Sequence, residues 1–309
     1  MKNILISGSL AYDSIMVFQD YFKNHILPDQ IHKLSVSFFV PELKRNFGGT
    51  AGNIAYNLSL LNSNSIIIAT AGDDFSAYEK RLSKFDVMQD YIKIIPASLT
   101  AQAYIITTDL DDNQITAFHP GAMMESHQNS ISNITEKVDL AIISPAGKEG
   151  MLKHAKECFE KGIPFMFDPG QGLPMFNKNE LNTFINQATY IAVNDYEAEL
   201  LMKISGLDVN EIQKKVEALI ITKGAYGSEI YSDKKIKINP ITADSPIDPT
   251  GCGDAYRAGL LYGITNKLTW EETGKLASVM GSIKIKTQGG QNHQPSLEEI
   301  EGLFGAKLT

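Results

Sequence analysis

Asp248-Pro249-Thr250-Gly251-Cys252-Gly253-Asp254 runs without a break into Ala255-Tyr256-Arg257-Ala258-Gly259-Leu260-Leu261-Tyr262. Pro249 and the glycines permit a tight turn, and the apolar-periodic segment after them predicts a helix. The first backbone N–H groups of that helix then point outward without partners. Such a turn is an anion hole. Asp254 falls in the first helical turn, where the dipole favours a carboxylate and where it lies beside whatever anion the amides hold. An acid next to oxyanion donors suits phosphoryl transfer to a hydroxyl, which needs a base for the alcohol proton and donors for the charge on the transferred group. The plainer reading, an Asp capping a helix after a Gly turn, stays open on these residues alone.

Upstream, Phe47-Gly48-Gly49-Thr50-Ala51-Gly52-Asn53 feeds a second helical pattern from Ile54 to Leu61. Paired glycines let backbone approach a ligand, and Asn53 both donates to and accepts from hydroxyls; a plain helix start needing Gly for close packing fits equally well. Around these two segments short apolar runs recur at Ile4 to Ile6, Ile66 to Ala69, Leu140 to Ile143, Phe165 to Phe167, Tyr190 to Val193 and Leu219 to Ile221. Each reads as a buried parallel strand, with helical spacing between. The alternation predicts an α/β sheet with helices on both faces. In such sheets ligands bind beyond the carboxyl ends of the strands, where Ser7-Gly8-Ser9, Asp168-Pro169-Gly170, Asn194-Asp195 and Thr222-Lys223-Gly224 fall.

Two regions break the rhythm. Leu34 to Phe47 is rich in Val, Phe and Ser, and Gln102 to Thr108 with Gln114 to Phe118 flank Asp111-Asp112-Asn113, which reads as a hairpin turn. Together they predict a small β appendage. Asp109, Asp111 and Asp112 lack the downstream pattern of a Ca²⁺ loop and read as a solvated turn.

Composition narrows the field. The chain of 309 residues is long enough for a large core, and 43% hydrophobic with 21% charged residues is the balance of a globular enzyme. A net charge of −8 argues against a nucleic-acid partner. Cys158 and Cys252 offer neither a disulfide framework nor CxxC spacing. No signal-like start and no run of about 18 apolar residues is seen, so no membrane partner and a cytoplasmic location are expected. Neither a P-loop, HExxH, GxSxG nor GxGxxG occurs, which removes support for P-loop, zincin, serine-hydrolase and ordinary dehydrogenase readings. His119 and His293 have no Cys or His at metal spacing and read as packing or surface residues.

In combination these segments resemble the two signatures of the ribokinase-like family, the PfkB carbohydrate kinases. The Gly48-Gly49 pair with Asn53 is similar to the amino-terminal signature, and Asp248 to Asp254 to the carboxyl-terminal one. Asn194-Asp195-Tyr196-Glu197 resembles the family's N-x-x-E element, Thr222-Lys223-Gly224-Ala225 with Gly227 its nucleotide-binding turn, and Asp13 its substrate-hydroxyl aspartate. The resemblance spans almost the whole chain. It implies one ribokinase-like domain over 1–309, a three-layer α/β/α sandwich with a mostly parallel sheet, and a small β-sheet lid from about 12–47 and 97–120. The Gly251 to Gly263 stretch, Thr116 to Ala122 and Gly289-Gly290-Gln291-Asn292-His293 look like the bacterial adenosine-kinase branch.

The resemblance further implies that Asp254 is the base and that the amides of Gly251, Cys252 and Gly253 hold the transferred phosphoryl group. Asp13 and Asn53 would grip the vicinal ribose hydroxyls. Gly48 and Gly49 would hinge the lid, and Tyr104 and Phe118, with Phe39 and Phe47 near them, would stack on a base or pack the thin sheet. ATP would meet Asn194, Thr222, Gly224, Gly227 and Gly281. Mg²⁺ would be organised from Glu197 and Asn194 through water, although Glu197 is otherwise readable as a helix-cap acid. A monovalent cation such as K⁺ would take Asp248 and the Thr250 carbonyl. No lid arginine is placed to touch phosphate, since Arg81 falls on a helix. The expected partners are ATP and a nucleoside, with a homodimer through the lid; a sugar kinase and a nucleoside binder without turnover are the alternatives.

Overall fold

The six apolar runs all become strands of one sheet, because a parallel strand covered on both faces has no side left for water. The computed structural model describes residues 2–26, 35–85, 87–108 and 113–308. In chain order its first half comprises β1 (Asn3–Ser7), β2 (Ala11–Phe18), β3 (Glu42–Gly48), α1 (Thr50–Leu60), β4 (Asn64–Ala71), α2 (Ser76–Leu82), β5 (Ile92–Ile94), β6 (Ala101–Thr108), β7 (Gln114–His119) and β8 (Leu140–Ile143). Then come α3 (Lys148–Glu160), β9 (Phe165–Phe167), α4 (Lys178–Gln187), β10 (Tyr190–Asn194), α5 (Asp195–Ser205), α6 (Val209–Gln213), β11 (Ala218–Thr222), β12 (Ser228–Tyr231), β13 (Lys235–Ile238), α7 (Cys252–Thr265), α8 (Trp270–Lys284) and α9 (Leu297–Phe304).

The large sheet runs β13-β12-β11-β10-β9-β8-β1-β4-β5, parallel from β11 to β5 and antiparallel at the β12–β13 edge. Side-chain alternation divides its core. Ile4 and Ile6 face the cluster that contains Leu58, Leu260 and Val279, whereas Leu5 faces Met151, Leu181 and Leu201. Helices α1, α7, α8 and α9 therefore cover one face and α3, α4 and α5 the other, giving three layers. From β1 the chain moves to β4 on one side and later to β8 on the other, so the strand order reverses between β1 and β8. A crevice opens beyond the carboxyl ends of the strands at such a switch point.

A second sheet, β3-β2-β6-β7, takes β3, β6 and β7 from the two irregular regions and adds β2 from the residues that follow β1. β2 pairs antiparallel with β3 and parallel with β6, and β6 pairs antiparallel with β7. No clean alternation announces β2, because Asp13 and Ser14 interrupt its apolar residues. The acidic turn at 109–112 lies outside the described residues. Among the described residues no helix is long and apolar enough to cross a membrane.

Candidate active site

Gly251 caps α7 in the left-handed region at φ 78°, and this turn exposes the helix start to the crevice. The Cys252 N–H donates to the Pro249 carbonyl at 3.1 Å, so that amide is already occupied. The backbone N–H groups of Gly251 and Gly253 take no partner among the described residues. A cavity of about 550 Å³ lies at the switch point, lined by Asp13, Asn53, Gly251, Gly253 and Asp254 among others. A second, of about 590 Å³, is lined by Gly224, Gly227, Cys252, Gly253 and Gly281. The two share Thr222 and Gly253. Gly253 is therefore the threshold between them, and a side chain there would point into open space.

Asp254 accepts a hydrogen bond from Asn53 Nδ2 at 2.8 Å. Enclosure by protein pushes its carboxyl up to about 6, helped by the nearby Asp168 and Asp13 charges and opposed by Asn53 and Arg257. Asn53 is itself held: Gln291 Nε2 donates to its Oδ1 at 3.1 Å, and Gln291 also lies 2.6 Å from the Tyr78 hydroxyl, which donates to the Gly48 carbonyl at 2.6 Å. Both ends of the Asn53 amide are thus engaged before any ligand arrives.

Asp13 stands differently. Its carboxylate takes no hydrogen bond from the described residues, and burial next to Asp248 pushes it up to about 6. Gly48 lies across the strand pair, where a Cβ would overlap Asp13 Oδ2. Gly49, at φ 84°, starts α1.

Strand register sorts the aromatic candidates. Asp13 pairs with Ala103, and Ala103 with Phe118, so these three share one face of the small sheet, and Phe118 lines the first cavity. Tyr104 is the next residue along β6 and points to the opposite face, where its hydroxyl donates to Gln102; it does not line the cavity. Phe47 packs in the core against Tyr12 and Tyr78 with ring centroids 5.9 and 5.0 Å away, and Phe39 is exposed. Met123, Gln171 and Met175 also line the cavity.

Asn194 and Glu197 form a capping box at the start of α5: the Glu197 N–H donates to Asn194 Oδ1 at 2.7 Å, and the Asn194 N–H to Glu197 Oε2 at 2.8 Å. The cap reading of Glu197 therefore describes its local role, yet both residues also line the first cavity. Burial and the Asp168 charge raise the Glu197 carboxyl above its ordinary range. Asp248 accepts from the N–H groups of Thr250 at 2.9 Å and Gly289 at 2.7 Å, and the buried Lys284 ammonium lies 3.8 Å from its Oδ2. His293 is buried against Asn57 at 2.9 Å, and His119 sits on exposed β7. Arg81 lies on α2 and donates to the Gln291 carbonyl.

Sequence reasoning missed one pair on the cavity wall. Arg257 makes two hydrogen bonds to Asp168, at 3.2 and 3.1 Å, with both side chains buried. The signal was present in an arginine set among the apolar residues of α7, since a buried guanidinium requires an acid.

The model of the pfkB family of carbohydrate kinases matches residues 10–297. A nucleoside kinase of Methanocaldococcus jannaschii is 32% identical over 86% of this chain and 88% of its own length. The structure of Burkholderia thailandensis nucleoside kinase in complex with inosine superposes with a TM-score of 0.89 and 46% identity, covering 98% of this chain and 99% of that one. Thermotoga maritima ribokinase, at 18% identity and a TM-score of 0.81, shares the fold. The chain belongs to the pfkB family of carbohydrate kinases, phosphotransferases whose acceptor is an alcohol.

Proposed function

We propose that this kinase transfers the γ-phosphoryl group of ATP to the 5′-hydroxyl of a purine nucleoside, adenosine first among them. The observation that carries the reading is the meeting of two cavities at Gly253, with Asp254 in one of them only. A nucleoside suits the first cavity and a nucleotide the second. The purine reading is supported by the lining of the first cavity, in which Phe118, Met123 and Met175 offer apolar area to a flat ring and Gln171 offers an amide to its edge. A free sugar offers no flat ring to cover that apolar lining.

Asp254 accepts the proton of the 5′-hydroxyl as that oxygen attacks the γ-phosphorus in line, a contribution typically of ~10²–10⁴-fold. Gly251 and Gly253 donate their free N–H groups to the phosphoryl oxygens as charge spreads over them. Asp13, unpartnered and on the cavity face of β2, accepts from the vicinal 2′- and 3′-hydroxyls. Asn53 acts by holding Asp254, and through that contact borders the ribose. Thr222, Gly224, Gly227 and Gly281 line the cavity given to the nucleotide, and the capping box of Asn194 and Glu197 lines the first cavity, on the side that receives the transferred phosphoryl group in this reading.

Among the described residues no three His, Cys, Asp or Glu side chains gather into a metal cage. A Mg²⁺ bound with ATP would be held through water by Glu197 and Asn194 and would supply charge neutralisation at the phosphates. A monovalent cation between Asp248 and Thr250 is not part of this reading, because Lys284 stands beside Asp248.

The chain reads as one catalytic unit over 1–309, with the small sheet as a lid over the acceptor and Gly48-Gly49 at its root. On the far face of that sheet Leu43, Met16, Ile106 and Ile115 lie in one cross-strand row, and the exposure of Leu43 and Ile115 supports pairing of two copies through it.

ADP release measured over a panel of nucleosides and free sugars tests the reading. Turnover with adenosine or inosine and little with ribose or fructose is expected; turnover confined to free sugars overturns it.

A further inference from the structure

The monovalent cation implied by the family resemblance does not fit the residues present. Lys284 ends α8, its side chain wholly buried, and extends beneath the turn that leads into α7. Its Nζ donates to the Asp248 carbonyl at 2.7 Å and to the Thr287 carbonyl at 3.1 Å, and lies 3.8 Å from Asp248 Oδ2. Carbonyl and carboxylate oxygens are the ligand type a monovalent cation takes, and here a covalently attached cation stands among three of them. A second positive charge beside these oxygens would meet repulsion from the Lys284 ammonium already seated there.

We infer that Lys284 is this kinase's built-in monovalent cation, a positioning residue that frees phosphoryl transfer from any need for potassium. The ammonium ties together three segments. Asp248 begins the turn that carries Gly251 and Gly253; its carboxylate also receives the N–H groups of Thr250 and Gly289. Thr287 and Gly289 belong to the loop after α8, and Gly290 of that loop lies so close to Gly251 that a Cβ on Gly251 would meet its Cα at 3.0 Å. Ile247 and Asp248 both donate backbone N–H groups to the Ile285 carbonyl, closing the same junction from the other side. The charge also sits at the carboxyl end of α8, where the helix dipole favours a cation. An ammonium fixed in this position holds the amide turn in its receiving geometry before substrate arrives, which is what a bound ion would otherwise do.

The inference rests on the kinase reading of the turn, so its test carries a readout apart from turnover. Nucleoside phosphorylation and the thermal midpoint are measured with choline chloride and with potassium chloride at equal ionic strength. Equal values in the two salts are expected for the parent chain; a higher rate or midpoint in potassium overturns the inference. Lys284→Ala opens the ring of oxygens, and its turnover is expected to fall at least about tenfold in choline and to recover in potassium or ammonium chloride. Lys284→Met fills the same space without charge and is expected to lose activity without recovery. An alanine variant that neither salt restores, in rate or in midpoint, overturns the inference, as does equal recovery by the methionine variant. Should the alanine variant not fold, the parent's response to potassium decides. If no nucleoside is phosphorylated at all, the kinase reading fails while the melting comparison still tests Lys284.

Discussion

Asn53 and Asp254, 201 residues apart in the chain, are joined by a 2.8 Å hydrogen bond from Nδ2 to Oδ2. The bond ties the first turn of α1 to the first turn of α7. It uses one of the two N–H donors of the amide and holds the carboxylate on one oxygen. Behind it Gln291 and Tyr78 carry the contact on to the Gly48 carbonyl at the root of the small sheet. The acid, its orienting amide and the segment that carries Asp13 are thus parts of one buried polar network.

Asp254→Asn is expected to cut turnover by at least ~10²-fold with little change in KM, because asparagine accepts no proton. The same change should raise stability at neutral pH. With a folded-state value near 6 against an ordinary 3.8, the Asp254 carboxylate costs stability that builds as pH rises past about 3.8 and is complete above about 6. That cost is absent below the unfolded value. The asparagine variant should therefore melt above the parent at pH 8 and lose that advantage by pH 4; thermal melts at both values, beside steady-state kinetics, read both effects.

Asn53→Ala removes the donor that lowers the Asp254 pKa, so the base should hold its proton to higher pH. The acid limb of kcat, expected near pH 6 in the parent, should move upward, with the loss of rate larger at pH 6 than at pH 9. A uniform drop across the profile would assign Asn53 to substrate contact instead.

Gly48→Ala places a methyl group where Asp13 Oδ2 now lies. Asp13 must turn away, and the KM for nucleoside is expected to rise about tenfold or more while the KM for ATP holds, the pattern also expected of Asp13→Ala. Equal changes in both constants would separate Asp13 from the acceptor.

The large sheet was legible because both of its faces are buried and its strands are continuous apolar runs, Leu140 to Ile143 being the clearest. The small sheet was legible only in part. β7 carries exposed residues throughout, and β2 mixes Asp13 and Ser14 with its apolar positions, so neither gives a period. Tyr104 shows where composition misleads: an aromatic in the right strand lies on the wrong face, and only the register with Ala103 and Phe118 tells the two apart. Cys252 shows the same for backbone, since a bond from its N–H to Pro249 leaves no trace in residue type. The roles of Gln291 and Lys284 depend on contacts with distant segments, which a single sequence does not record.

Arg257→Met breaks the buried pair with Asp168 and leaves a carboxylate without its counter-charge. A loss of about 3–5 kcal/mol is expected from urea unfolding. Adding Asp168→Asn should return part of that stability, because the stranded charge is then gone. If the double variant is no more stable than the single one, the cost lies in packing and not in the uncompensated charge.

Gly253→Ala separates the threshold from the fold around it. Gly253 lies within α7 without a positive φ, and no atom stands within 4 Å of where its Cβ would be. Alanine in a helix is favoured over glycine, so the variant is expected to gain about 0.5–1 kcal/mol of stability. The same methyl group would project at the junction of the two cavities, into the path between the donor phosphate and the acceptor hydroxyl. Turnover should fall by about 10²-fold, since displacing reacting groups by ~1 Å has that cost. Calorimetric melting and ADP release should therefore move in opposite directions. A variant that gains stability and keeps its full rate would show that the phosphoryl group does not cross at Gly253.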